Sequence, residues 1–231
     1  GRGTREAPDR VLELHEHAGG RDVYMIYEPM AAAIGIGIDV EAPTGCMIVD
    51  IGGGTTDIAV IALSGIVTDQ SIRVAGDDFT LDIVEYVKRQ HNILIGERTA
   101  EQVKIHVGSA LQDLENAPED FAVHGRDLLT GIPKQVTVAY TEIAGCLDKS
   151  ISKIEEAIMK ALESTPPELA SDIYQKGIYL TGGGALLRGL DKRIAMKTKL
   201  PVRVADDPLR AVVRGTGIAL KNRHRYTFLM S

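Results

Sequence analysis

Residues 47–57 read Met-Ile-Val-Asp-Ile-Gly-Gly-Gly-Thr-Thr-Asp. The apolar run Met47, Ile48, Val49, broken by Asp50 and resumed at Ile51, is the pattern of a buried strand that stops at a chemically active end. Gly52, Gly53 and Gly54 follow at once. Lacking Cβ atoms, they let backbone N–H groups approach a phosphate closely. Thr55 and Thr56 add hydroxyl donors. A second β-rich run, residues 58–63, comes directly afterwards, so the glycines join two strands as a hairpin. That excludes the usual P-loop, which ends in Gly-Lys-Ser/Thr and opens a helix. A hairpin that holds no ligand is the competing reading. Such a turn needs only one or two residues with positive φ and gains nothing from an aspartate on the incoming strand.

Working outward, a second triplet stands at 181–190, Thr-Gly-Gly-Gly-Ala-Leu-Leu-Arg-Gly-Leu, after an apolar strand predicted over 177–180. Here the glycines precede a helical pattern, so the N–H groups of Gly182, Gly183, Gly184 and Ala185 are expected to join a helix N-terminus as a positive pocket for phosphate or a ribose edge. One triplet is weak support for a nucleotide; two, each at the end of an apolar strand, point to two walls of one cleft. Upstream, Glu28-Pro29 marks a strand-to-helix corner. Proline fits the first helical turn, and the Glu28 carboxylate lies near the positive end of the helix dipole. By itself Glu28 reads equally well as a simple helix-start residue.

Elsewhere the periodicity predicts helices over 7–17, 79–89, 99–114, 143–162 and 209–220, and strands over 23–26, 72–75 and 202–205. Residues 117–140 read as loop and strand, with Val136, Val138 and Tyr140 alternating against polar neighbours. Thr99 and Gln102 form a capping-box pattern, and Val103, Val107, Leu111 and Leu114 a buried stripe. Leu81, Val84 and Val87 form another. Asp77 is read as a cap, with a lesser role in ordering a metal-bound water. Glu101 and Lys104, one turn apart, read by themselves as a solvated ion pair worth ~0.2–0.5 kcal/mol. Alanines at 31–33 allow the first helix to pack closely on a sheet, and Pro166-Pro167 stops the long helix.

The chain has 231 residues, enough for one large or two ordinary domains. Its 44% hydrophobic and 25% charged residues are typical of a globular protein. A net charge of -6 argues against nucleic-acid binding, which needs a basic surface. Cys46 and Cys146 lack metal-ligand spacing and fit buried thiols in a reducing compartment. No apolar stretch reaches the ~18 residues of a membrane span.

Together these segments resemble the actin, heat-shock chaperone and sugar-kinase superfamily, and within it the rod-shape-determining bacterial actins of the MreB family. Glu28-Pro29-Met30-Ala31-Ala32-Ala33-Ile34-Gly35 is similar to that superfamily's first connecting segment, residues 50–56 to its second phosphate loop, and residues 180–190 to its adenosine loop. Pro166-Pro167-Glu168-Leu169-Ala170 and Ala205-Asp206-Asp207-Pro208-Leu209 are phrases specific to the bacterial branch. The similarity covers residues 23–222. Two departures are mild: Asp57 stands where glutamate is frequent, and Ala75 where a second glycine is usual. A third is larger, because nothing before Val23 resembles the first phosphate loop. Residues 1–20 look only like the end of a first domain most of which the chain lacks.

The resemblance implies an α/β, actin-like (ribonuclease H-like) ATPase fold. Residues 1–45 would end the first domain, 46–73 and 145–205 would form the larger, nucleotide-binding lobe of the second, 74–144 its inserted smaller lobe, and 206–231 a return helix and tail. It further implies ATP and Mg²⁺ as ligands, with Asp50 holding the metal through water. Gly52, Gly53, Gly54, Thr55 and Thr56 would take the β- and γ-phosphates, Glu101 and Lys104 would flank ribose and adenine, and Gly182 to Ala185 would close the adenosine pocket. Glu28 would orient the attacking water, with Thr55 beside it. The implied function is a weak ATPase coupled to polymerisation, in cytoplasmic filaments on the inner face of the cell membrane, with wall-elongation and membrane proteins as partners and the truncated chain inactive alone. The alternatives within the superfamily are a chaperone ATPase and a sugar kinase or exopolyphosphatase. An enzyme of the latter kind needs a second-substrate pocket, for which no candidate residues stand out.

Overall fold

The computed structural model describes residues 23–229. The chain enters through helix α1 (Glu28–Gly35) and lays down β1 (Cys46–Ile51), β2 (Thr56–Ala62) and β3 (Gly65–Ile72) as an antiparallel meander. It then leaves that sheet for α2 (Gly76–His91), β4 (Ile93–Leu94), α3 (Glu97–Val107), β5 (Phe121–Asp127) and β6 (Pro133–Val138), with a second, antiparallel sheet of order β4-β5-β6. Helices α4 (Tyr140–Glu163) and α5 (Pro167–Lys176) lead back to the first sheet. There β7 (Ile178–Thr181) pairs in parallel with β1 and, after α6 (Leu190–Thr198), β8 (Val202–Val204) pairs in parallel with β7. Helix α7 (Ala211–Lys221) follows. The main sheet therefore runs β3-β2-β1-β7-β8, with β1 in the middle.

That central place explains the apolar run Met47-Ile48-Val49 and the burial of every residue of β1, Asp50 included. Met47, Val49 and Ile51 share one core with Ile143, Leu147 and Ile151 of α4. Cys46 and Ile48 face the other way and pack with Met30 and Ala32 of α1 and Ala211 of α7. The alanines of α1 serve helix contact as well as the sheet. A Cβ placed on Gly35 would lie 1.8 Å from Ala211 O, and one on Gly215 would lie 1.7 Å from Ala31 O, so α1 and α7 touch backbone to backbone.

Several expected boundaries move. The segment 72–75 is not a strand; β3 ends at Ile72 and runs upstream of it. Only Met25 within 23–26 makes a β-bridge. Helix α3 starts at Glu97 and stops at Val107, which puts Thr99 inside the first turn rather than at a capping position and leaves Leu111 and Leu114 beyond the helix, half-buried. Of the stripe Leu81, Val84 and Val87, Val87 is buried and Val84 partly so, whereas Leu81 is exposed, because α2 turns Phe79 and Ile83 inward beside Val87. Tyr140 starts α4 rather than ending a strand. Pro166-Pro167 stops α4, as expected, and Pro167 also opens α5 from the N1 position. The helix predicted over 7–17 lies outside the described residues.

Burial pushes the Cys46 thiol up to about 11 and the Cys146 thiol up to about 12, so both are inert near neutral pH. No helix among the described residues is long and apolar enough to cross a membrane.

Candidate functional site

The first glycine turn sits where β1 and β2 part. Gly52 N–H donates to Thr55 O at 2.9 Å, closing the turn, while Gly53, Gly54 and Thr55 are exposed. The corner between β3 and α2 braces it from behind, with Gly76 N–H donating to Gly52 O at 3.1 Å and Asp77 N–H to Gly53 O at 2.8 Å. The Gly52 and Gly53 carbonyls are thus occupied, and a Cβ added at Gly54 would meet nothing within 4 Å. The Thr55 hydroxyl donates to Asp57 Oδ2 at 2.8 Å on the exposed side. Thr56 differs from expectation: its hydroxyl is buried and donates to Val74 O at 2.7 Å, which commits it to the fold. Asp78, not Asp77, supplies the helix-start acceptor, taking the Ala75 N–H at 2.9 Å. The Asp77 carboxylate instead faces Gly53.

The second triplet packs on the end of β1. Gly182 has φ +80, and a Cβ there would lie 2.3 Å from Ile51 O and 2.5 Å from Asp50 Oδ1, so both conformation and space require glycine. The expected α-helix does not follow directly. Gly183–Leu186 form a 3-10 turn, and α6 begins only after Gly189, which adopts a left-handed conformation. Ala185 is buried and its N–H, expected to face the pocket, donates to Gly182 O at 3.3 Å.

Between the second loop and helices α2 and α3 lies a cavity of about 250 Å³ whose walls include Gly76, Glu101, Lys104, Gly183, Gly184 and Leu209. Lys104 Nζ donates to Gly76 O at 2.8 Å and to Thr80 Oγ1 at 3.0 Å, and it pairs with Glu101 Oε2 at 2.7 Å. The Thr80 hydroxyl lies 2.8 Å from the same carboxylate oxygen. Although partial burial opposes it, hydrogen bonds from Lys104 and Thr80 hold the Glu101 carboxyl below its ordinary range. The pair is therefore part of a network in the cavity wall, with Gly76 shared between that wall and the first glycine turn. A larger cavity, about 630 Å³, lies between α4 and α6 and touches neither loop. Its main charges are already paired, Arg193 with Glu155 and Asp148.

Asp50 is the buried charge of the site, at 3% exposure. Burial, reinforced by the carboxylates of Glu28 and Asp57 and opposed by the Thr181 hydroxyl, pushes it up to about 6 from 3.8. Thr181 Oγ1 makes no hydrogen bond of regular geometry and is itself fully buried. Above pH 6 the native state therefore holds a charge it disfavours. As the pH falls from 6 towards 4, the native state takes up the proton before the unfolded chain does, and the penalty is relieved. Asp50→Asn is accordingly expected to stabilise the ligand-free protein at pH 8, by on the order of 2 kcal/mol, and by less at pH 5. Urea unfolding at the two pH values checks this; equal stabilities at pH 8 would show that the carboxylate carries no strain.

Residue reasoning missed Thr80, Thr181, Gly76 and Leu209. Thr80 was findable, since it lies four places after Gly76 on the helix that follows the strand end. Leu209 gave no local signal.

A buried strand-end aspartate, two glycine turns at the end of that strand and a polar helix face beside them form a cleft in an actin-like fold. The family model described as MreB/Mbl protein matches residues 5–227, and the chain belongs to that family. It is 47% identical over 212 residues to the cell shape-determining protein Mbl of Bacillus subtilis, covering 92% of this chain and 63% of that protein. The chain thus spans less than two thirds of that relative's length. Among solved structures, MreB5 of Spiroplasma citri bound to ADP superposes with a TM-score of 0.89 at 40% identity, over 96% of this chain and 67% of that one. The MamK double helical filament superposes with a TM-score of 0.77 at 23% identity, over 95% and 66% of the two chains, which speaks to the fold alone.

Proposed function

We propose that the chain is the nucleotide-holding part of a bacterial actin that binds ATP with Mg²⁺ and polymerises into filaments beneath the cell membrane, scaffolding wall synthesis and cell shape. The observation that carries this reading is a cavity lined by the second glycine turn and the Glu101–Lys104 network and joined through Gly76 to the first glycine turn, in a member of a family whose relatives are named for cell shape. The solved MreB5 holds ADP, which supports a nucleotide here. The backbone N–H groups of Gly53, Gly54 and Thr55, which find no acceptor among the described residues, are offered to phosphate oxygens, and Gly183, Gly184, Glu101 and Lys104 enclose the nucleoside. Residues 46–73 and 145–205 form the lobe that carries the phosphate turn, and 74–144 the lobe that carries Glu101 and Lys104.

The donor set suits a hydrated Mg²⁺. Among the described residues no three acidic, histidine or cysteine side chains gather closely enough to ligate a metal directly. One buried carboxylate strained by like charges suits an ion that keeps most of its waters and takes the rest of its ligands from phosphates. When bound, the ion would neutralise charge on the phosphates, with Asp50 holding its water shell. Glu28, exposed at the start of α1 and a like charge felt by Asp50, would orient a water.

Sedimentation of the full-length protein tests the output. With ATP and Mg²⁺ it is expected to pellet above a threshold concentration and to stay in the supernatant without nucleotide. Protein that remains in the supernatant at every concentration while turning over a small second substrate would replace the scaffold with a metabolic enzyme.

A further inference from the structure

The end of α3 and the turn after the second glycine triplet are tied together, and Arg188 makes most of the ties. Its Nη1 donates to Ile105 O at 3.0 Å and to Gly108 O at 3.4 Å, at the C-terminal end of α3. Carbonyls there lack helical partners, and a cation is favoured by the helix dipole. The Arg188 carbonyl in turn accepts Ala110 N–H at 2.8 Å, and Ser109 pairs with Arg188 as an isolated parallel bridge. Gly108 permits the approach: a Cβ there would sit 3.0 Å from Leu187 Cδ1 and 2.1 Å from Lys104 O. The two segments tied in this way are the two walls of the 250 Å³ cavity, one bearing Glu101 and Lys104, the other Gly183 and Gly184, and Arg188 itself lines it.

We propose that Arg188 is a positioning residue that sets the spacing of these walls, and so the affinity for the nucleoside part of the ligand; this rests on the nucleotide reading above. The phosphate turn at 52–54 is braced by Gly76 and Asp77, not by Arg188. Its affinity for a ligand without a nucleoside is therefore independent of this residue. A residue that merely stabilised the lobe would weaken both ligand types alike.

The test titrates the full-length protein, its Arg188→Ala variant and its Arg188→Lys variant with ADP and with inorganic pyrophosphate, each with Mg²⁺. Arg188→Ala is expected to lose about 10-fold in ADP affinity, the size of one lost charge-assisted hydrogen bond, with pyrophosphate affinity unchanged. Arg188→Lys keeps the charge and a donor and is expected to recover most of the loss. Equal losses for both ligands, or none for either, overturn the proposal. Hydrogen exchange across residues 105–110 reads the tie with no ligand present. Faster exchange in Arg188→Ala is expected, and unchanged exchange overturns the proposal whatever ADP does. If the unsubstituted protein binds no ADP while exchange still responds, the nucleotide reading alone falls.

Discussion

Glu28→Ala in the full-length protein is expected to leave ATP affinity within a few-fold and to slow hydrolysis by roughly 100-fold or more, the usual size for a lost general base. Phosphoryl transfer is accelerated by positioning and charge stabilisation, so a group that only orients water acts on turnover and little on binding. The structure places Glu28 at the exposed first position of α1, where its charge reaches Asp50 but where it makes no hydrogen bond among the described residues. The neighbouring Pro29 and Met30 are buried, so the helix is anchored without the glutamate and its loss should not unfold α1. Single-turnover hydrolysis and equilibrium titration on the same samples separate the two effects. Equal single-turnover rates would remove Glu28 from the chemistry.

Gly54→Val is expected to do the reverse, abolishing measurable ATP binding while the fold stays intact. A Cβ at this position enters open space, so the substitution meets no protein atom. Valine's added bulk is expected to shield the N–H groups of this exposed turn from an approaching anion. Two hydrogen bonds to charged oxygens, at about 1.5–3 kcal/mol each, amount to a loss on the order of 100-fold or more in affinity. Titration with labelled ATP, alongside a thermal melt, checks both halves. Unchanged affinity at an unchanged melting temperature would mean that the turn binds no phosphate.

The sequence made the centre of this molecule legible because its signals there are local. An apolar strand ending in aspartate and three glycines has few other uses, and the stripe Ile143, Leu147, Ile151 and Ile154 is buried as a helical period demands. What it hid depended on the surroundings. Strand β3 lies at a sheet edge and alternates exposed with covered positions, so residues 65–72 lacked the apolar run that marked β1. The turn before it is made by Leu63 and Ser64, both at positive φ, instead of the glycine or asparagine that signals such hairpins. The inward hydroxyl of Thr56 and the inward face of Ala185 followed from partners at Val74 and in the core, which spacing along the chain cannot reveal. Glu101 and Lys104 were visible as a pair, but their link to Gly76 depended on how two distant segments meet.

The backbone contact between α1 and α7 also governs how the chain comes together as it is made. Gly35 and Ala31 find their partners at Ala211 and Gly215, so the snug face of α1 stays without α7 until about 180 further residues have been synthesised. At ~5–20 residues per second, that is a delay of about 10–35 s. During this interval the β1–β2–β3 meander, whose pairings are between neighbours, can already form while the Ala31–Gly35 side of α1 waits for its partner. Ribosome-bound intermediates arrested before α7 emerges should therefore present that face to chaperones, and those arrested after it should not.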